Sequence, residues 1–314
     1  MSDVMLDRRR FCALAAAIGC SGTGLYRLAS AQEVKYSAGT EKPRTGVPAG
    51  ATDCHMHFFD KRAPTVPGAP VLHPDAQADD YLAFQRRIST QRCVVVQPSA
   101  YGTDNQVMLA GLKALGNNAR GVAVVSADVP DSELQRLHSL GVRGVRFNLV
   151  QAGAISIEKA KLLSPRLKEM GWHIQFYMPG ERLVEAYELL ASLPSPIVFD
   201  HMARIPLEQG TAHPSYAALR RLLDKGNTWV KLSGPYLSSK QAPHYPDASK
   251  LAQEIAKAAP ERVVWASDWP HATEKDKPDD AVLFDLLSEW VPNEAARRRV
   301  LVANPAALYD FHNT

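Results

Sequence analysis

Cysteine is scarce in this sequence. Only 4 of its 314 residues are Cys, and only Cys54 and Cys93 lie beyond residue 31. Small secreted domains that depend on disulfides are much richer in cysteine, so the sequence excludes a disulfide scaffold. Both remaining cysteines fall in predicted strands, and nothing in the sequence indicates that their side chains face each other. We therefore expect two buried, unpaired thiols.

A strong charge of either sign is also missing. Lys and Arg number 36 against 33 Asp and Glu, which gives a formal net charge of +3 spread along the chain. Nucleic-acid-binding domains concentrate basic residues on one surface, so we expect no nucleic acid partner. The 46% hydrophobic and 22% charged residues are ordinary for a globular protein, which excludes a mostly disordered chain and a coiled coil.

The sequence has no apolar run long enough for a stable membrane span. Its leader has a mild apolar run, Cys12–Gly19, which follows Arg8-Arg9-Arg10-Phe11 and precedes Ala29-Ser30-Ala31. This order resembles a twin-arginine signal peptide over residues 1–31, cleaved after Ala31. We therefore expect the twin-arginine export machinery as a partner and the periplasm as the location. The alternatives are an uncleaved anchor, a surface helix and, with a poor match to the motif, a lipoprotein at Cys20.

The rest of the chain alternates short apolar runs with helical patterns. Residues 32–50 are polar and without periodicity, which predicts an N-terminal arm. Eight apolar runs, nearly all followed by a helical pattern, predict a single-domain α/β protein over residues 51–314, a (β/α)8 TIM-like barrel. The predicted strands are Ala51–Phe58, Arg92–Gln97, Gly121–Ser126, Val142–Phe147, Trp172–Met178, Pro196–His201, Thr228–Ser233 and Val263–Asp268.

The structural alternative is a doubly wound open sheet. No Gly-x-Gly-x-x-Gly follows any strand, which removes the commonest dinucleotide-binding form of that fold. The helical patterns include Ile157–Met170 before strand 5 and Asn293–Val302 near the C-terminus, and Asn304–Phe311 is predicted to be a final turn. The longest irregular segments, Asp60–Gln77 and Pro235–Ala248, follow strands 1 and 7 and are expected to form walls or lids of a pocket.

Polar residues collect where the barrel strands end. His55 and His57 share one face of strand 1, His201 follows strand 6 and Asp268 follows strand 8. The carboxyl ends of barrel strands meet at one mouth, where barrel enzymes have their active sites. We therefore expect these four side chains to form the catalytic group.

Several phrases around these residues resemble the amidohydrolase superfamily, and in particular its amidohydrolase-2 branch with the 2-pyrone-4,6-dicarboxylate lactonases and related lactone hydrolases. The resemblance covers about residues 50–312. The phrases are Asp53-Cys-His-Met-His, Gln97-Pro-Ser-Ala-Tyr-Gly-Thr-Asp-Asn105, Arg143-Gly-Val-Arg-Phe-Asn148, Phe199-Asp-His-Met-Ala-Arg204, Ser267-Asp-Trp-Pro-His271 and Asn304-Pro-Ala-Ala-Leu-Tyr309.

The resemblance raises the question of a metal ion. Many amidohydrolases hold one with the strand-1 histidines, a strand-5 residue and the strand-8 Asp. In this sequence Tyr177 is the strand-5 residue nearest the mouth, and His173 lies about 13 Å lower at the usual strand rise. The resemblance to metal-independent lactonases therefore implies no cofactor. The alternative is one divalent ion, Zn or Mn, on His55, His57 and Asp268.

The resulting hypothesis is hydrolysis of a carboxylated or sugar-type lactone by water. Asp268 would be the general base, while His55, His57 and His201 would polarise the carbonyl. Arg146 would bind a substrate carboxylate, and Lys231 is a further candidate for the pocket. The other expected substrate-binding residues are Ser99, Tyr101, Asn148, Tyr177, Tyr236 and His271.

The loops after strands 4 and 7 bear on how many carboxylates the substrate has. The resemblance implies that dicarboxylate-specific enzymes carry additional Arg residues in these two loops. Here the loops, Leu149–Ala154 and Gly234–Lys240, contain no Arg. We therefore expect a monocarboxylate lactone or a sugar lactone. Two alternative functions stay open: a metal-dependent amidohydrolase or decarboxylase of the same branch, and a non-catalytic periplasmic binding protein.

Overall fold

The structure is a computed structural model that describes residues 33–69, 74–150 and 156–311. The predicted signal peptide, together with Cys12 and Cys20, lies outside the described residues. So do short parts of the loops after strands 1 and 4. No helix in the described part of the chain is both long and apolar enough to cross a membrane.

Eight parallel strands form one sheet in sequential order, with helices between them, and this confirms the predicted barrel. Valine-rich segments such as Arg92–Val96 are buried throughout, as expected for strands covered on both faces. The strands are β1 (Thr52–Met56), β2 (Arg92–Val96), β3 (Ala119–Ala123), β4 (Val142–Asn148), β5 (His173–Tyr177), β6 (Ile197–Phe199), β7 (Thr228–Leu232) and β8 (Val263–Trp265).

Backbone hydrogen bonds between β1 and the segment after β8 bring the two ends of the sheet together. Asp268 N donates to His55 O at 2.9 Å, and His57 N donates to Trp269 O at 2.8 Å. The buried carboxylate of Asp53 strengthens this contact, because it accepts hydrogen bonds from Ser267 N, Ser267 Oγ and Tyr81 Oη. The barrel therefore brings the ends of its first and last strands side by side.

The described residues form ten α-helices. They are α1 (Ala78–Ile88), α2 (Gln106–Leu115), α3 (Asp131–Ser139), α4 (Ala160–Glu169), α5 (Arg182–Ser192), α6 (Pro214–Asp224), α7 (Pro246–Ala258), α8 (Asp280–Trp290), α9 (Glu294–Arg298) and α10 (Asn304–Tyr309).

Several predicted elements have other bounds in the structure. Strands 6 and 8, predicted to reach His201 and Asp268, end at Phe199 and Trp265, before the left-handed backbone at those two residues. Strand 3 begins earlier than predicted and ends at Ala123, because the Asn105 amide takes both backbone groups of the next residue, Val124. The helix predicted over 157–170 starts as a 3-10 turn before α4. The helix predicted over 293–302 ends in a π-turn, and the predicted final turn is α10, whose Pro305 lacks an N–H for the preceding helical ladder.

The N-terminal arm is fastened to the barrel. Trp269 Nε1 donates to Lys35 O at 3.1 Å, and the Arg87 guanidinium of α1 donates to Ser37 Oγ and to the carbonyls of Ala38 and Glu41. Cys54 and Cys93 are free and buried, as expected.

Side chains in the barrel interior lie in layers that the strand register fixes. Gly144 pairs with His173, Arg146 with Gln175, and Asn148 with Tyr177. A Cβ at Gly144 would come within 2.5 Å of the His173 ring, so this glycine makes room for the imidazole. His173 is the first residue of β5 and lies at its lower end, as predicted. Its ring contacts Tyr309 of α10.

We predict that His173 makes the protein sensitive to acid. Burial, with a further contribution from Lys231, lowers the pKa of His173 to about 3. Unfolding lets this imidazole take up a proton, so its contribution to stability is lost as the pH falls from about 6.5 towards 3. Between pH 7 and pH 4 the loss is about 3 kcal/mol.

His173→Phe should therefore reduce the difference between the free energies of unfolding at pH 7 and pH 4, measured by urea titration. The readout is a difference between two pH values, so a general destabilisation by the larger ring does not affect it. An unchanged difference would contradict the prediction.

Candidate active site

A cavity of about 370 Å³ opens at the mouth of the barrel. It contains seven of the residues that the sequence predicts for the site: His57, Ser99, Arg146, Asn148, Tyr177, His201 and Asp268. The other described residues that line it are mostly apolar: Phe59, Pro98, Ala100, Leu237, Ala272 and Thr273. The strand ends thus build a pocket with a polar floor and a largely apolar rim.

Asp268 is the carboxylate on which the floor converges. A left-handed backbone, with φ of 66°, turns its side chain towards the barrel axis. Asp268 Oδ1 is 3.7 Å from His55 Nε2, 3.8 Å from His57 Nε2 and 3.7 Å from His201 Nε2. Asp268 Oδ2 accepts a hydrogen bond of 2.8 Å from Tyr236 Oη. One oxygen is therefore held, and the other faces three imidazoles.

The hydrogen bonds of His57 fix its tautomer. His57 Nδ1 is 2.7 Å from the carbonyl oxygen of Val96, which can only accept, so this nitrogen carries the proton. Burial, followed by the effect of Arg146, lowers the pKa of His57 to about 4. At neutral pH the ring is therefore uncharged, and His57 Nε2 has only a lone pair to present to the cavity.

His55 lies beneath His57 and is fully buried. Its Nε2 is 3.1 Å from His57 Nε2, and its Nδ1 is 3.1 Å from both Asp200 Oδ1 and Lys231 Nζ. Burial lowers the pKa of His55 well below its usual value, with a further contribution from Lys231. Asp200 Oδ1 can only accept, so His55 Nδ1 carries the proton that binds it, and His55 Nε2 presents a lone pair beside that of His57 Nε2. In this arrangement neither strand-1 histidine donates to a substrate carbonyl, and the role in polarising the carbonyl that the sequence predicts for them stays a prediction.

His201 is the histidine that can donate into the cavity. Four consecutive residues, His201–Arg204, have positive φ and form a left-handed turn after β6. His201 Nδ1 is 2.9 Å from Ser233 Oγ, and a Cβ at Gly234 would come within 2.9 Å of that nitrogen. If the Ser233 hydroxyl donates to Nδ1, Nε2 carries the proton and faces the pocket. Burial lowers the pKa of His201, so its ring is uncharged at neutral pH.

Asp200 is a functional residue that the sequence analysis missed. Its carboxylate is fully buried and accepts hydrogen bonds from Gln175 Nε2 at 3.0 Å and Arg146 Nε at 3.3 Å, while Lys231 Nζ is 3.5 Å away. Burial alone would raise the pKa of Asp200, but His55, Lys231 and Arg146 together hold it well below its usual range. It supports the floor of the site.

Arg146 has two roles in this arrangement. Its Nε contacts Asp200 and its Nη1 donates to Gln97 O at 3.3 Å, yet the side chain also lines the cavity beside Tyr177. Tyr177 Oη accepts a hydrogen bond of 2.6 Å from Arg204, a second residue that the sequence analysis did not select. The Phe199–Arg204 phrase contained it, but no spacing rule pointed to its contact with β5.

Three predicted substrate-binding residues do not line the cavity. Tyr101 is buried, and its hydroxyl donates to Asp60 O and accepts from Asp60 N. Tyr236 and His271 lie behind Asp268, in contact with each other and with residues of the wall. Lys231, the further candidate, is fully buried below His55. The positions of Tyr101, Tyr236 and His271 are set by the turns after the strands, which alternation does not describe, whereas Lys231 lies within β7.

His55, His57 and Asp268 fit a divalent ion as a three-residue set. One potential donor atom from each residue lies within 4.8 Å of the others. The Nδ1 atoms of the two histidines contact Asp200 and Val96 O, which is the support that ligating imidazoles usually have. A bound ion would polarise the carbonyl and acidify water. In the described chain β5 adds no ligand, because Tyr177 Oη binds Arg204 and the Gln175 amide lies between Asp200 and Lys231.

Comparison with known proteins identifies the family. The amidohydrolase family model matches residues 52–311. A 2-pyrone-4,6-dicarboxylate hydrolase of Comamonas testosteroni is 35% identical over 87% of this chain and 94% of its own length. A D-galactarolactone isomerase of Agrobacterium fabrum is 33% identical over 88% of this chain and 96% of its own.

A solved structure from Agrobacterium tumefaciens shows the same fold. It superposes with a TM-score of 0.83 at 32% identity and covers 89% of this chain and all of that one. The residues matched by the family model extend across all eight strands of the barrel. The chain therefore belongs to the amidohydrolase family, among relatives that hydrolyse or isomerise lactones.

Proposed function

We propose that this protein opens a lactone ring by the attack of water, with Asp268 as general base. The observation that carries the proposal is the placement of Asp268 Oδ1 beside the lone pair of His57 Nε2, 3.8 Å away, on the floor of the cavity. Both atoms are acceptors, so a water molecule between them would donate both protons and keep its own lone pairs for the carbonyl. The lactone chemistry of the relatives supports this assignment.

The reaction then follows in two steps. Asp268 Oδ1 takes one proton from the water while the water oxygen forms a bond to the carbonyl carbon. This step gives a tetrahedral oxyanion. The ring C–O bond breaks as the carbonyl re-forms, and Asp268 returns the proton to the leaving oxygen. His57 orients the water throughout. The product is an open-chain acid, and the base ends the cycle ionised.

Stabilisation of the oxyanion falls to His201 and Arg146. His201 Nε2 is next to Asp268 and has a proton to donate when Ser233 donates to Nδ1. The Arg146 guanidinium adds a positive charge at the edge of the cavity. Donors that are already in position cost no reorganisation when the negative charge develops, so they favour the transition state.

We propose further that the reaction needs no metal ion. The buried layer beneath His55 holds two cations, Arg146 and Lys231, against the single carboxylate of Asp200, and this excess of positive charge opposes a divalent ion. In the described chain β5 also adds no ligand, because Tyr177 Oη accepts from Arg204. Burial lowers the pKa of Lys231 to about 8, so most molecules keep this charge at neutral pH.

The substrate that fits best has no more than one carboxylate. Arg146 is the one cationic side chain among the described residues that line the cavity, and Asp200 already engages part of it. A second carboxylate would lie near Asp268 without a partner. Ser99 and Asn148, which hydrogen-bond each other at 2.5 Å, are better suited to hydroxyl groups of a sugar lactone.

A panel of lactones, assayed with and without chelator, tests the proposal. Muconolactone has one carboxylate, D-glucono-1,4-lactone has none and 2-pyrone-4,6-dicarboxylate has two. We expect turnover of one of the first two, at least about tenfold above the dicarboxylate in kcat/KM because the second carboxylate has no partner, and no effect of chelation. Metal content should be substoichiometric by elemental analysis.

Other outcomes of the same panel would contradict separate parts of the account. A preference for the dicarboxylate would overturn the charge argument. Loss of activity on chelation, with recovery on adding Zn or Mn, would assign His55, His57 and Asp268 to a metal. Ligand binding without turnover would indicate a binding protein.

We also propose that the protein acts in the periplasm, on the basis of the twin-arginine motif at Arg8-Arg9 and the cleavage pattern that ends at Ala31. N-terminal sequencing of protein from the periplasmic fraction should begin at Gln32. A chain recovered only from the cytoplasm with its leader intact would contradict this proposal.

A further inference from the structure

A chain of hydrogen bonds runs from Asp268 away from the cavity. Tyr236 Oη is 2.8 Å from both Asp268 Oδ2 and His271 Nδ1, and His271 Nε2 is 2.9 Å from Asp280 Oδ2. His271 and Asp280 are completely buried, and Asp280 is the first residue of α8. The carboxylate of the site is thereby linked to the start of an outer helix through residues that do not line the cavity.

Proton counting limits the direction of these hydrogen bonds. A phenol has one proton, so Tyr236 can donate to Asp268 or to His271 but not to both. A carboxylate and an unprotonated imidazole nitrogen are both acceptors, so one of the two must carry a proton for both contacts to be hydrogen bonds. A proton on Asp268 would leave it unable to act as a base. A proton on His271 Nδ1 leaves Asp268 ionised and supplied with a donor.

Asp280 favours the proton on His271 Nδ1. A carboxylate beside Nε2 attracts a positively charged ring, and an imidazole that carries a proton on each nitrogen donates to Asp280 and to Tyr236 at the same time. Asp280 Oδ1 has no hydrogen-bond partner among the described residues, so the contact with His271 is the one that satisfies this buried carboxyl group. Removing the imidazole would leave Asp280 without it.

A backbone hydrogen bond also joins Asp268 and His271, the residues on either side of Tyr236 in this chain of hydrogen bonds. Asp268 and His271 both have left-handed backbones, with φ of 66° and 52°, and His271 N donates to Asp268 O at 2.9 Å. The same tight turn therefore aims the Asp268 carboxylate into the barrel and the His271 imidazole behind it. Tyr236, from the loop after β7, closes the gap between the two side chains.

We propose that His271 is a positioning residue for Asp268 that acts through Tyr236. His271 Nδ1 donates to Tyr236 Oη, Tyr236 donates to Asp268 Oδ2, and Asp268 Oδ1 is left free to take the proton of the attacking water. The inference rests on the proposed function, because the chain has this task only if Asp268 is the base. It replaces the expectation that Tyr236 and His271 bind the substrate.

Matched variants of His271 test the inference on whichever lactone of the panel is turned over fastest. In His271→Asn the side-chain amide can still donate from the Nδ1 position to Tyr236. In His271→Gln the longer amide reaches the Nε2 position and Asp280 instead. Tyr236→Phe and His271→Gln should each lower kcat by about ten- to a hundredfold, the range expected for a lost hydrogen bond to a charged group. KM should stay within about twofold, and His271→Asn should recover most of kcat.

The double variant Tyr236→Phe/His271→Gln distinguishes positioning from packing. Because the effect of His271 passes through Tyr236, the double variant should be no slower than Tyr236→Phe alone. Losses that multiply, an effect on KM alone, or wild-type kcat in either single variant would overturn the inference. Circular dichroism and thermal unfolding check that each variant is folded. If the His271 variants do not fold, Asp280→Asn replaces them in the same cycle and is held to the same outcomes.

Asp268→Asn separates failure of this inference from failure of the proposed function. An inactive Asp268→Asn together with a fully active His271→Gln overturns only the positioning role. An Asp268→Asn variant with near-normal kcat overturns the base assignment, and the inference falls with it.

Discussion

The buried carboxylate of Asp200 is the feature on which the rest of the site depends. Four side chains from four different strands meet it: His55 from β1, Arg146 from β4, Gln175 from β5 and Lys231 from β7. A buried charge is tolerated only when it is paired and hydrogen-bonded, and here a single anion is paired with two buried cations, Arg146 and Lys231. This layer orients His55, fixes Arg146 at the edge of the cavity and lies directly beneath the residues of the cavity floor.

The two histidines of strand 1 show how neighbouring groups decide what a residue can do. His57 Nδ1 donates to the carbonyl oxygen of Val96, so His57 Nε2 has a lone pair that faces the cavity. His55 lies between Lys231 and His57. The same pair of lone-pair positions that suits a metal ion also suits a water molecule in contact with Asp268. The charges of Lys231 and Arg146 favour the water, because the single carboxylate beside them leaves the buried layer with an excess of positive charge that opposes a divalent ion.

Sequence reasoning predicted most of the barrel and several of the side chains that meet at its mouth, for a physical reason. Parallel strands that close into a barrel bring their carboxyl ends to one mouth, so His57, His201 and Asp268 had to meet once the strands were recognised. The alternation of side-chain directions along a strand gave wrong positions for residues that lie beyond the strand ends. The left-handed turn that begins at His201 lets two successive residues, Asp200 and His201, both point inward. The positions of Tyr236 and His271 behind Asp268 follow from similar turns, which no periodicity encodes.

The most direct test of the account is a single turnover in water enriched in oxygen-18. If a water molecule held between His57 and Asp268 attacks the carbonyl, mass spectrometry should find one labelled oxygen in the carboxylate of the ring-opened product. A D-galactarolactone isomerase is among the relatives, and attack by a hydroxyl of the substrate itself would give a rearranged lactone instead. An unlabelled, isomerised lactone as the main product would contradict the central claim that Asp268 activates water.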